Sequence, residues 1–128
     1  MSLIKVFNSQ FVEFLNDIQI VLPNDLNIKT AKYLIDKVIR VNPSLLIKSW
    51  YSLVIIPYKQ YIDNEDFDFF LKKDYHKDIG ENNMNDGITK TINIIKSSVK
   101  ELTDNDKKKI IKYTQNLTKI SLMYKEKH

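Results

Sequence analysis

The feature that most constrains this chain is a line of apolar residues at its start: Ile4, Phe7, Phe11, Phe14, Leu15, Ile18, Val21 and Leu22. They recur at intervals of three and four, which lays one stripe along an α-helix and rules out the two-residue alternation of a half-buried strand. A stripe of that length needs other apolar faces to cover it, and the rest of the chain supplies them. Past Pro23, Asn24 or Asp25 offers an N-cap, followed by Ile28, Ala31, Leu34, Ile35, Val38 and Ile39. Asn42–Pro43 places a capping side chain before a residue whose missing N–H costs nothing at a first helical position, so a third helix is predicted to open there. Its buried face is Leu46, Trp50, Leu53 and Val54, with Tyr58, Tyr61 and Ile62 continuing the spacing. Pro57 removes a backbone bond and disfavours helix in the residue before it, which predicts a kink or a second short helix at Ile56–Pro57.

Further along, Ile88, Ile92, Ile95, Val99 and Leu102 form another stripe. Thr103 with Asp106 then resembles a capping box, Asp standing for Glu, ahead of a last helix through Ile110, Ile111, Thr114, Leu117, Ile120, Ser121 and Tyr124. The terminal "KEKH" is expected to fray. The predicted fold is all-α: one domain, a compact bundle of five or six amphipathic helices over residues 1–128, with a loop at about 76–86 in "HKDIGENNMNDG", the stretch at 76–87 that holds both glycines. Its expected core is Phe11, Phe14, Ile18, Leu34, Trp50, Leu53, Ile92, Ile95, Leu117 and Ile120.

The 128 residues are enough to close such a core without staples, and 43% hydrophobic with 11% aromatic residues exceeds what a disordered chain carries. There is no cysteine, which excludes disulfides, thiolate metal sites and cysteine nucleophiles and fits a reducing, intracellular compartment. The N-terminal residues lack the pattern of an export signal, and the longest apolar run, Leu53 to Ile56, is far short of a membrane span.

Charge is the weaker guide. The formal net charge is +4, but 19 Lys, 18 Ile and 12 Asn against one Arg reflect codons rich in A and T, which inflate basicity without a partner to explain it. The distribution is uneven: seven basic and four acidic residues over 1–62, three and eight over 63–86, ten and four over 87–128. The basic run Lys107, Lys108, Lys109 with Lys112 is the candidate nucleic-acid contact, although cations at a helix start oppose the helix dipole.

The acidic middle holds "PYKQYIDNEDFDFFLKKDY" at 57–75, in which helix-start acids precede a short helix with more aromatics than one face can bury. Asp66, Phe67, Phe69 and Tyr75 are therefore the candidate protein-docking residues, with Phe70 and Leu71 turned to the core.

No catalytic set can be assembled. His76 in a loop and His128 at the end are the only histidines, and two glycines cannot build a phosphate-cradling loop. The acids Asp63, Glu65, Asp66 and Asp68 fail the calcium-loop spacing because Phe occupies the fifth position in either frame. The "NLT" sequon at 116–118 falls inside a predicted helix, and Trp50 falls on an apolar stripe. No cofactor, no metal and no catalytic residue is expected.

Four blocks, "FNSQFVEFLNDIQIVLPND" at 7–25, "NPSLLIKSWYSLVIIPYKQYI" at 42–62, "DFFLKKDYHKDI" at 68–79 and "LTDNDKKKIIKYTQNLTKIS" at 102–121, resemble in order those of small helical proteins of large nucleocytoplasmic DNA viruses, the algal and amoebal giant viruses. The resemblance implies a viral product in the host cytoplasm or the virion. It supplies no activity and no site residues. The expected function is a non-enzymatic structural or protein-interaction component, acting through a protein partner or self-association; the alternative is a weakly basic nucleic-acid-associated protein.

Overall fold

The computed structural model describes residues 2–57, 59–64, 86–99 and 102–128, and among them every regular element is helical. We number six α-helices: α1 Leu3–Val21, α2 Leu26–Val41, α3 Leu45–Trp50, α4 Lys59–Asp63, α5 Asp86–Val99 and α6 Asp104–Lys127. A π-helical turn, Tyr51–Ile55, continues α3. The all-α bundle expected from the stripes is the fold.

Helix α1 starts on Ser2, whose hydroxyl accepts from the Lys5 N–H, and stops where Pro23 cannot continue it. The turn is closed by the Leu22 N–H on the Ile18 carbonyl and the Asp25 N–H on the Leu22 carbonyl. Asp25 then caps α2, its Oδ1 accepting from the N–H groups of Asn27 and Ile28 at 2.9 and 3.4 Å. With so short a link, α2 must run back along α1.

Helix α5 lies along α2 in the opposite sense. Gly87 at its start sits against Val38 near the end of α2, while Ser98 near its end donates to Asp25 Oδ2 at 3.1 Å. Helix α6 pairs with α1 in the same antiparallel way, and α3 packs against α1, α2 and α6. The row α5, α2, α1, α6 is thus closed over by α3.

The core centres on Trp50. Phe7 and Phe11, one helical turn apart on α1, each meet its ring edge-on at centroid distances of 6.1 Å, and Phe11 continues to Phe14 at 6.0 Å. Ile18, Ile28, Ile35, Leu46, Ile92, Ile95 and Leu117 fill the remaining volume, all buried. Leu34 and Ile120, expected inside, are only half-buried, because each lies at the margin of its stripe rather than its centre. Val21, at the last turn of α1, is exposed.

Three local expectations change. Asn42 ends α2, its N–H donating to the Val38 carbonyl, and Asn42 to Ser44 form a turn closed by the Leu45 N–H; α3 therefore begins at Leu45, two residues beyond Pro43. At Pro57 the third helix does break and restart, but through a π-turn in which the Ile56 N–H reaches back five residues to the Tyr51 carbonyl at 2.9 Å. The wider turn relieves the clash of a proline ring with the preceding turn and shifts the phase of the stripe. Ile55 is consequently buried and Tyr61 exposed, so the apolar face does not run on to Tyr61. Finally, α6 holds to Lys127, where the His128 N–H closes on the Tyr124 carbonyl, instead of fraying at "KEKH".

Candidate functional site

The site with a legible geometry is the outward face of α6. The helix starts on Thr103, whose Oγ1 accepts from the Asp106 N–H at 3.3 Å and donates to Asp106 Oδ2 at 3.1 Å. The capping box is therefore hydroxyl-to-carboxylate, and Asp104 and Asp106 in the first turn complement the positive end of the dipole. That offsets the lysines that follow directly.

Rotation of α6 about its axis decides which lysines face solvent, and three buried or part-buried contacts fix it. Tyr113 stacks on Phe14 at 5.1 Å with planes 6° apart, and its hydroxyl donates to the Asp17 carboxylate of α1. The Trp50 indole N–H donates to Thr118 Oγ1 at 3.2 Å. One turn on, Ser121 Oγ donates to the Ile47 carbonyl at 3.1 Å. Burial first, then the hydrogen bond from its own hydroxyl to Asp17 and the charges of Asp17 and Glu13, holds the Tyr113 phenol well above the usual tyrosine range, so it stays neutral and donates.

With α6 so fixed, the four lysines singled out from sequence do not form one patch. Lys108 and Lys112 are exposed and lie one turn apart. Lys107 is rolled toward the bundle and half-buried. Lys109 is 73% exposed but turns to the other flank, its Nζ 3.9 Å from Asp106, an exposed pairing that contributes little. The residue sequence reasoning missed is Lys119, exposed and within about 40° of Lys108 and Lys112 around the helix axis. Together they form a strip about 16 Å long at 1.5 Å per residue. Gln115 and Asn116 fill its gap, and no acid occurs between Asp106 and Glu126. The signal was the helical period, which the adjacent run of three lysines concealed.

The docking candidates Asp66, Phe67, Phe69 and Tyr75 lie outside the described residues, as do Phe70, Leu71, His76 and all of the loop at 76–86 except Asp86, which opens α5. Among the described residues no group of three or more His, Cys, Asp or Glu is placed to hold a metal, and no helix is long and apolar enough to cross a membrane. No family model, curated protein or solved structure matches the chain. What the geometry defines by itself is a helical bundle with one basic helix face turned to solvent.

Proposed function

We propose that this protein is a non-enzymatic interaction component, of viral origin and virion-associated, that binds an acidic protein surface through the strip Lys108, Lys112 and Lys119. The observation that carries the reading is the use of buried and part-buried polar groups: Trp50 with Thr118, Ser121 with Ile47 and Tyr113 with Asp17 all join α6 to other helices. These contacts set the orientation of one helix face, which suits a binding module. The block resemblance and the A/T-rich codon usage support the viral setting. A nucleic-acid partner is the second reading, favoured by the acid-free stretch from Lys107 to Lys125. Three point charges without an arginine fork are a modest phosphate surface, so the protein partner ranks first.

The test is affinity capture from infected cells with the wild-type chain and with the triple variant Lys108→Glu, Lys112→Glu, Lys119→Glu, partners being identified by mass spectrometry. Loss of one acidic protein at unchanged melting temperature is expected. An identical partner set for both chains would refute the reading.

A further inference from the structure

We draw no further inference here: the strongest candidate, the apolar hollow between the end of α1 and the start of α6, floored by Ile18, Leu102 and Ile110 and rimmed by the exposed Ile20 and Val21, carries none because nothing in the structure shows what covers it.

Discussion

The indole N–H of Trp50 donates to Thr118 Oγ1 at 3.2 Å, across 68 residues of sequence and inside the core. The contact separates shape from polarity at one site. Thr118→Val keeps the volume and removes the acceptor, so it should cost about 1 kcal/mol, whereas Trp50→Ala empties the centre of the aromatic cluster and should cost about 3–5 kcal/mol. Chemical denaturation of the two variants checks the ratio; equal losses would mean that the hydrogen bond, not the ring, holds α3 to α6.

Tyr113 predicts a pH dependence. Its folded-state pKa is raised above the ordinary value, by burial first and then by Asp17 and Glu13, so the fold favours the protonated phenol. The associated stability is complete below the unfolded value of about 10 and is lost as pH rises toward the folded one. Alkaline titration by phenolate absorbance should therefore show one of the seven tyrosines ionising late, together with unfolding, and Tyr113→Phe should remove that late step. A late step that persists in the variant would assign it to another residue.

Asp25 does two jobs with its two oxygens. Oδ1 caps α2 through Asn27 and Ile28, and Oδ2 accepts from Ser98, tying the start of α2 to the end of α5. Asp25→Ala should cost about 2 kcal/mol, the upper range for an N-cap, while Ser98→Ala, which leaves the cap intact, should cost about 1 kcal/mol or less. A double-mutant cycle should give a coupling near the Ser98 value. Zero coupling would show that the two helices are held by apolar packing alone.

For the lysine strip, duplex DNA gives a measurable bound. If only Lys108, Lys112 and Lys119 neutralise phosphates, the log–log slope of affinity against salt should be no steeper than about −2.7, and binding at physiological salt should be weak. A steeper slope would bring in lysines outside the strip and favour the nucleic-acid reading over the protein one.

How much of this was legible in the sequence divides along physical lines. Helix positions and the aromatic core were, because Phe7, Phe11, Phe14, Trp50 and Ile92 sit at helical spacing and burial follows from that spacing alone. Tyr61 was misplaced, and the burial of Ile55 went unread, because a π-turn inserts phase that no local periodicity records. Within the candidate site, Lys108 and Lys112 were found, but Lys119 and the inward roll of Lys107 depend on how Tyr113, Thr118 and Ser121 dock, and those partners are 74 to 96 residues away in two of the three cases. Short polar residues on an apolar stripe can mark such docking points: Thr118 and Ser121 are buried and bond other helices, whereas buried Thr114 donates to Ile110 of its own helix.

Asn8 is another residue of this kind and supports a last prediction. It is buried on α1, donates through Nδ2 to the Pro43 carbonyl at 3.0 Å, and leaves its Oδ1 without a partner. In Asn8→Asp the donor becomes an oxygen facing a carbonyl, so burial and repulsion should raise the pKa of the introduced carboxyl in the folded state above its unfolded value of about 3.9. The charged form should then destabilise the fold by about 3 kcal/mol or more at neutral pH, as an uncompensated buried charge does. The sign follows: the variant should recover relative to wild type as pH falls toward the unfolded value, where the protonated carboxyl can again donate to Pro43. Urea denaturation of both chains from neutral to acidic pH measures the difference, and a gap that stays constant with pH would show that the introduced group reaches solvent and that the Asn8–Pro43 contact does not anchor α1 to the start of α3.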